Sequence, residues 1–408
     1  MVNSRLMATI RPFRGVRPKP DAAAHVVAPP YDVLSEDEAR AIFADKPSTF
    51  LRVTRPEVNL APGIDAHSAE VYAAGNIALQ TMLAEGVLVQ DEAPAFYLYA
   101  QKMGDHEQTA LMCLCSTEEY DAGTIKKHEY TRPDKEQDRV DHMLGVDAQT
   151  GLVFLAHRAD TAVSEAIAAA QAEPLFTVTT DDGVRHALSR IAAPNDIARI
   201  GAAFKALDAL YIADGHHRSA AASRVAAQLA KKRGSAWFLC GVFPDDSLYC
   251  MAYNRLVRDL WGFTPEALLS RLARDFELSS DVAAVPTERG TFTMYLEGRW
   301  HLLRPLQVGT DPVDSLDVAI LQDRVLAPLL DVEDPRTNTR IRFVGGIRGA
   351  SYLERAVDSG EAALAFHMVP TGLDQLFAVA DADRVMPPKS TWFEPKLAGG
   401  VLVRRLGD

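Results

Sequence analysis

The sequence has 408 residues, which is enough for two or three domains that each bury a core. Hydrophobic residues make up 48% of the chain and charged residues 24%, as in ordinary globular proteins, and no apolar run approaches the roughly 20 residues of a membrane-spanning helix. The net charge of -12 argues against nucleic acid or an anionic membrane as a partner, although a local basic pocket is compatible with it.

The cysteines and the N-terminus bear on the cellular compartment. Cys113 and Cys115 are spaced to point to the same face of one strand, and Cys240 and Cys250 lie in similar apolar surroundings. This spacing fits neither a disulfide framework nor a zinc knuckle, so we expect buried free thiols. Residues 1–17 are basic but lack the apolar region and cleavage site of a secretory signal. Both features predict a cytoplasmic protein.

The chain begins with a proline-rich arm at residues 8–34. Proline pairs such as Pro29-Pro30 fix the backbone in an extended form, so this arm is predicted to be ordered. It could present Tyr31 and Asp32 to a pocket, or it could simply pack on the domain.

The next elements follow from capping and periodicity. Ser35 with Glu38 is a capping-box signature, which predicts a helix over about 36–45. Apolar residues at helical spacing predict a long helix over 67–86, and residues 95–102 and 109–116 have the pattern of a strand hairpin.

A dense mixture of both charge signs occupies residues 125–139. Arg132-Pro133-Asp134 resembles a helix start, and this helix should continue to about Gly145. A solvated helix face is one interpretation, but Lys135 and Arg139 are like charges at a spacing of four, which weakens it. Basic groups for phosphates beside carboxylates for a proton or a metal are what a transfer site requires.

Four further elements lead to the middle of the chain. We predict a strand over 152–156, a helix over 162–172, one or two strands within 177–191, and a helix capped by Asn195 that ends near Leu207.

A polar turn then stands between a strand and a helix. The apolar run 207–213 predicts a buried strand, and 220–232 predicts a helix that Gly234 ends. Asp214 to Ser219 lie between them, where backbone N–H groups and a helix dipole favour an anion. Histidine, arginine and serine side chains add donors for a phosphate. An ordinary N-cap at Asp214 is the alternative, but it explains fewer of these polar residues.

The second half has a pattern of its own. We predict a strand pair over 236–243 and 248–253, then a helix over 264–276, strands over 291–296 and 300–303, and a helix over 316–326 that Pro328 stops. A soft boundary near Trp261 divides the chain into domains at 1–260 and 261–408. The expected fold class is α+β, with helices and strands in both domains.

Two segments of the second half are weaker candidates for an anion site. The glycine turn after the strand near 339–344 fits an ordinary strand-to-helix turn better than a phosphate loop. In the proline-held loop 386–396, Lys389, Ser390 and Thr391 could reach an anionic ligand, or the loop could be a packed C-terminal arm.

Six motifs stand out along the chain. They are Arg11-Pro12-Phe13, Ala28-Pro29-Pro30-Tyr31-Asp32, Lys127-His128-Glu129, Thr131-Arg132-Pro133-Asp134-Lys135, Ala213-Asp214-Gly215-His216-His217-Arg218 and Met386-Pro387-Pro388-Lys389-Ser390-Thr391. Together they resemble the bacterial domain of unknown function 1015 family, from about residue 8 to the C-terminus. That family has no settled activity.

The Asp-Gly-His-His-Arg turn also resembles, more distantly, the nucleotide-binding turn of the ParB/sulfiredoxin-like fold, over about 175–260. Free serine kinases of that fold hold the phosphates of ADP or ATP with this turn. The resemblance implies that Asp214, Gly215, His216, His217, Arg218 and Ser219 bind the nucleotide, joined by Arg132 and Lys135.

The same resemblance implies a nucleotide-dependent phosphotransferase with Mg2+ that acts on a small amino acid or hydroxy acid, free serine among them. Glu129 is the first choice for the general base, with Asp32 and Asp134 in reserve. The catalytic candidates are therefore Glu129, Asp32 and, from the turn, His217. Asp134 is also the candidate metal ligand. A homodimer is compatible with the sequence.

The leading alternative is a non-catalytic nucleotide- or phosphate-binding regulatory protein related to ParB-like modules. A DNA-associated clamp would need a basic helix-turn-helix after the core, and the mixed pattern and the net charge do not favour one. Sulfiredoxin-like chemistry would need a reactive cysteine in the turn, where this chain has His216.

Overall fold

The computed structural model describes residues 8–407, in which the chain forms two compact units. The first unit extends to Lys127, continues from Thr131 to Leu248 and resumes at Pro395. The second consists of His128–Tyr130 and Tyr249–Glu394. Helices and strands occur throughout both units, which confirms the α+β prediction. The division into domains at 1–260 and 261–408 is a statement about which parts fold independently, and it stays a prediction.

The strands are short and mostly antiparallel. In chain order they are β1 (Ile10–Arg11), β2 (Val16–Pro18), β3 (Leu88–Gln90), β4 (Phe96–Met103), β5 (His106–Ser116), β6 (Ile125–Lys126), β7 (Ala148–Gln149), β8 (Val153–His157), β9 (Glu173–Thr179), β10 (Arg185–Ile191), β11 (Leu210–Asp214), β12 (Trp237–Pro244), β13 (Tyr249–Met251), β14 (Tyr253–Val257), β15 (Phe276–Ser280), β16 (Phe292–Leu296), β17 (Arg299–Pro305), β18 (Ile341–Gly345), β19 (Leu364–Met368), β20 (Trp392–Glu394) and β21 (Arg404–Arg405).

The helices range from one turn to more than four. In chain order they are α1 (Ala23–Val26), α2 (Glu36–Asp45), α3 (Leu51–Thr54), α4 (Ala69–Ala84), α5 (Thr117–Asp121), α6 (Pro133–Val146), α7 (Thr161–Ala168), α8 (Pro194–Phe204), α9 (His216–Gln228), α10 (Pro265–Leu272), α11 (Asp317–Leu321), α12 (Ala327–Leu330), α13 (Ala350–Asp358) and α14 (Leu373–Asp381). No helix within residues 8–407 combines the length and the hydropathy that a membrane span requires.

A mixed sheet forms the centre of the first unit. Its strands follow the order β6-β11-β8-β12-β5-β4-β10-β9, and β1 also pairs with β5. β11 runs parallel to β6 but antiparallel to β8, so the C-terminal end of β11 lies beside the N-terminal end of β8. This register brings Asp214 opposite Phe154 and places the loop before β8 near the turn after β11.

Burial explains why these strands read as apolar runs. All residues of β8 and the first four of β11 are buried, as expected for strands covered on both faces. Ala-rich α9 packs on this sheet and contributes Ala221, Ala222 and Val225 to the main core. A second core forms around α3 and α4 and includes Phe50 and Leu79.

The second unit has an antiparallel sheet of its own, in the order β15-β17-β16-β19-β14-β18. Helix α13 covers it through Leu353 and Ala356, which pack with Trp300 and Ala365. β13 and β20 form a separate pair in which Cys250 lies opposite Phe393.

The strongest sequence signals are confirmed. Ser35 and Glu38 form the predicted capping box at the start of α2, and β4 and β5 form the predicted hairpin. The helix after the central turn starts earlier than expected, at His216 and not near Ala220, because Gly215 is the N-cap and the polar residues form the first helical turn.

Three local predictions are wrong. Asn195 does not cap α8, because Pro194 already occupies the first turn and Ala193 is the N-cap residue. The expected strand pair after position 236 does not form: β12 pairs with β5 and β8, whereas β13 pairs with β20. Pro328 does not end its helix, because a π-helical segment, Gln322–Leu326, shifts the hydrogen bonding and leaves the proline in the first turn of α12.

Candidate phosphate-binding site

The turn after β11 exposes the start of a helix. Gly215 is the N-cap of α9 and has φ of 99°, a left-handed conformation that glycine adopts without a Cβ penalty. No side chain caps this helix at Gly215. The amide groups of a first helical turn have no carbonyl partner four residues earlier, and the helix dipole is positive there. The start of α9 is therefore suited to an anion.

A carboxylate and two cations surround the turn. Asp214 accepts a hydrogen bond from the Gly215 amide at 3.0 Å and from Arg218 Nη2 at 3.2 Å. Lys396 Nζ lies 3.5 Å from the same carboxylate. Burial alone would raise the pKa of Asp214, but the charges of Lys396, Arg218 and His216 lower it well below its usual value. With Asp214 ionised, Arg218 and Lys396 leave this group with a net positive charge.

The Arg218 side chain folds back over the turn. Its Nε would lie 2.9 Å from a Cβ placed on Gly215, and its Cδ would lie 3.0 Å from a Cβ placed on Gly151. Both glycines therefore leave the space that this guanidinium occupies. Arg218 is 9% exposed, and its pKa, which burial lowers, is raised overall by Asp214, Tyr31 and Asp32.

A turn of the proline-rich arm lies near Arg218, because the charges of Tyr31 and Asp32 act on this guanidinium. Tyr31 begins a 3-10 turn, Tyr31–Val33, directly after Pro29-Pro30. Arg55 donates to the backbone carbonyls of Tyr31 and Leu34, which fixes this turn. The Arg139 guanidinium lies 4.3 Å from the centre of the Tyr31 ring. The exposed Asp32 carboxylate is held on the same turn.

The two charge-rich motifs of the sequence meet through one hydrogen bond. The backbone N–H of Arg132, the N-cap residue of α6, donates to His217 Nε2 at 3.0 Å. This bond requires an unprotonated Nε2. The Arg132 side chain turns away to Asp134, with contacts of 3.2 and 2.8 Å, and this hydrogen-bonded pairing lowers the pKa of Asp134.

The other predicted site residues take different positions. The Ser219 hydroxyl is buried and donates to the carbonyls of Gly215 and His216, within its own helix. His216 is also buried, and Lys135 is exposed on the first turn of α6. Glu129 lies in the segment His128–Tyr130, which belongs to the second unit, and its role stays a prediction.

Sequence reasoning missed Lys396 and Gly151. Lys396 ends the proline-held loop that the sequence marks as polar, but no local pattern connects it to Asp214, 182 positions earlier (396 minus 214). The sequence indicates only that Gly151 precedes a predicted strand. Its role depends on the antiparallel pairing of β8 with β11, which a local pattern does not specify.

The described residues do not fit a preformed magnesium site at Asp134. Its carboxylate is exposed and already accepts from Arg132. Within residues 8–407, three or more potential metal ligands from histidine, cysteine or acidic side chains lie close together in one place. That group consists of cysteines, which magnesium does not favour.

Comparisons with known proteins give a family and distant structural matches. A free serine kinase in complex with AMP is 14% identical, and the match covers 69% of this chain and 86% of that chain at a TM-score of 0.37. A conserved hypothetical protein from Pyrococcus furiosus is 14% identical over 72% of this chain and 95% of its own, also at 0.37. SbnI with a C-terminal truncation, from Staphylococcus aureus, is 10% identical over 69% and 82%, at 0.39.

No curated protein sequence matches the chain. A family model described as protein of unknown function (DUF1015) matches residues 10–319, well over half of the 408 residues. The chain therefore belongs to the DUF1015 family, as its sequence motifs predicted.

Proposed function

We propose that the first unit binds a nucleotide by its phosphates at the start of α9, and that the chain transfers a phosphoryl group between ADP or ATP and a small hydroxylated metabolite such as free serine. The observation that carries the binding is the uncapped helix start at Gly215, flanked by Arg218 and Lys396. Backbone amides and fixed cations around one point are what phosphate recognition requires.

The catalytic step needs a group that accepts the proton of the substrate hydroxyl. Asp32 is the carboxylate that we assign to this role in the first unit, because it is exposed and its charge acts on Arg218. Glu129 is the first choice from the sequence, and its role as the base stays a prediction. Arg218 and Lys396 would stabilise the charge on the transferred phosphoryl group.

Magnesium would arrive with the nucleotide and be held mainly by its phosphates, as is usual for this ion. We therefore assign no reaction step to a metal that the chain itself holds. His217 is proposed to position the start of α6, and Arg132 and Lys135 to act from that exposed helix end on the outer part of the nucleotide.

Regulatory binding without catalysis is the second candidate. The observation in its favour is that the Asp214 and Asp134 carboxylates already pair with cations, so neither is set up as a base. The two candidates share the phosphate site and differ in turnover.

Calorimetric titration with ADP, ATP and inorganic phosphate tests the binding, and phosphorus NMR with Mg2+ and a panel of amino acids and hydroxy acids tests transfer. We expect binding of at least one nucleotide and a new phosphoester signal with one acceptor. Binding without any new phosphoester would favour the regulatory function, and absence of both would refute the site.

Lys396→Met is the sharpest variant for the site, because the side chain is partly exposed and its removal leaves the Asp214–Arg218 pair in place. We expect nucleotide affinity to fall about tenfold, which corresponds to roughly 1.4 kcal/mol. Lys102→Met removes an exposed lysine of the same unit and should leave the affinity unchanged. Equal nucleotide affinities for the two variants would show that Lys396 does not contribute to binding.

A further inference from the structure

Three cysteines that are far apart in the sequence meet inside the main core of the first unit. Cys113 and Cys115 are alternate residues of β5, and Cys240 of β12 lies directly opposite Cys113. Each is 0% exposed, and none forms a disulfide. The Cys240 sulfur lies 3.7 Å from that of Cys113 and 3.1 Å from that of Cys115. All three sulfurs thus face one point between two paired strands.

We propose that Cys113, Cys115 and Cys240 form a binding site for a trivalent thiophilic metalloid ion, for which arsenite is the probe. This proposal is independent of the nucleotide site, which uses none of these residues. Its basis is the number, the spacing and the complete burial of the three thiols.

The spacing suits a pyramidal ion with three sulfur ligands. Bonds of about 2.3 Å at nearly right angles would set the sulfurs about 3.3 Å apart, whereas a planar three-coordinate ion would need about 4.0 Å. The two observed separations of 3.1 and 3.7 Å lie on either side of the pyramidal value. These two separations would therefore need to change by less than 0.5 Å, and all three sulfurs already lie within 4.8 Å of one another.

Charge balance in the dry core selects the oxidation state. Three thiolates around Cu+ would leave two negative charges in this core, and around Zn2+ one, which burial disfavours strongly. Among residues 8–407, the group also contains no fourth histidine, cysteine or carboxylate ligand of the kind that zinc usually has. A trivalent ion gives a neutral complex.

The binding reaction balances without an oxidant or a reductant. Arsenous acid, As(OH)3, exchanges its three As–O bonds for three As–S bonds, and the three thiol protons leave with the hydroxyl groups as three water molecules.

The test measures arsenic bound to the full-length reduced protein after exposure to arsenite, either in the native state or during refolding, since the site is closed. We expect one arsenic per chain, three thiols protected from a thiol reagent after denaturation, and a rise in the melting temperature. Parallel samples with Cu+ and Zn2+ should show at least tenfold weaker binding.

Matched variants separate the cluster from the remaining cysteine. Cys250→Ser removes the thiol outside the cluster and should keep full binding, whereas Cys240→Ala should lower arsenite affinity at least tenfold. Cys113→Ala serves as the second variant should Cys240→Ala fold poorly. Retained binding in both alanine variants, no arsenic in the native or refolded protein, or tighter binding of Zn2+ or Cu+ would overturn the proposal.

Discussion

Gly151 controls the position of Arg218. A methyl group on Gly151 would lie 3.0 Å from Arg218 Cδ and 3.7 Å from the Tyr31 ring, so Gly151→Ala should push the guanidinium away from the turn at Gly215. We expect nucleotide affinity to fall at least fivefold, while the melting temperature changes by a few degrees at most. Calorimetric titration and thermal unfolding of the same samples measure the two effects.

Gly201→Ala is the matched control for this change. Gly201 lies in α8, and an added Cβ there would have no neighbour within 4 Å. Alanine favours a helix interior over glycine by about 0.8 to 1.0 kcal/mol, so this variant should be more stable and bind normally. If Gly151→Ala binds as well as Gly201→Ala, the packing of Arg218 does not govern affinity.

At the scale of elements, the bond between Arg132 and His217 links the starts of α6 and α9. His217→Ala removes the acceptor, and because the site is exposed, water can replace it. We therefore expect a stability loss below about 1 kcal/mol, but faster hydrogen exchange of the Arg132 amide. Hydrogen exchange followed by NMR or mass spectrometry measures it.

Lys135→Ala provides the comparison for this prediction. It removes an exposed side chain from the first turn of α6, beside Arg132, but leaves His217 intact. Exchange at Arg132 should stay at its original rate. Similar exchange in His217→Ala and the unaltered protein would mean that the bond does not tie the two helices together.

Individual helices and hairpins also differ in how far the sequence predicts them. Helix α2 and the β4–β5 hairpin follow from residues only a few positions apart, so capping and alternation were sufficient. The sequence predicts that α9 begins near Ala220, four residues too late, because Ser219 and the two histidines are residue types typical of turns. Their helical conformation depends on Gly215 reversing the chain.

At the scale of the whole molecule, the register between distant strands creates the features that local patterns cannot specify. Cys240 joins Cys113 only because β12 lies beside β5 in that register. Lys396 reaches Asp214 because the chain returns to the first unit at Pro395. Sequence motifs therefore singled out the polar turn from Asp214 to Ser219, but they predicted neither the lysine beside it nor the three-thiol cluster.

Two buried histidines should make the stability of the whole chain depend on pH. Burial lowers the pKa of His142 and of His186 to about 4. An unfolded histidine titrates near 6.5, so between these values the unfolded chain binds protons that the folded chain does not. Stability contributed by the neutral histidines is present above pH 6.5 and is lost as pH falls towards 4. Each contributes a slope of about 1.4 kcal/mol per pH unit in this range.

Urea unfolding at several pH values between 4.5 and 7 tests this effect through His142→Gln. His142 Nε2 donates to the carbonyl of Val53 at 2.9 Å, a bond that a glutamine amide can imitate without titrating. Whatever the stability of the variant at pH 7, the slope of its unfolding free energy against pH should be smaller by about 1.4 kcal/mol per pH unit, the contribution of one histidine. The unaltered protein is the reference and keeps the full slope. Parallel curves for His142→Gln and the unaltered protein would show that His142 is protonated equally in the folded and unfolded states, because only a difference in proton binding can produce the slope.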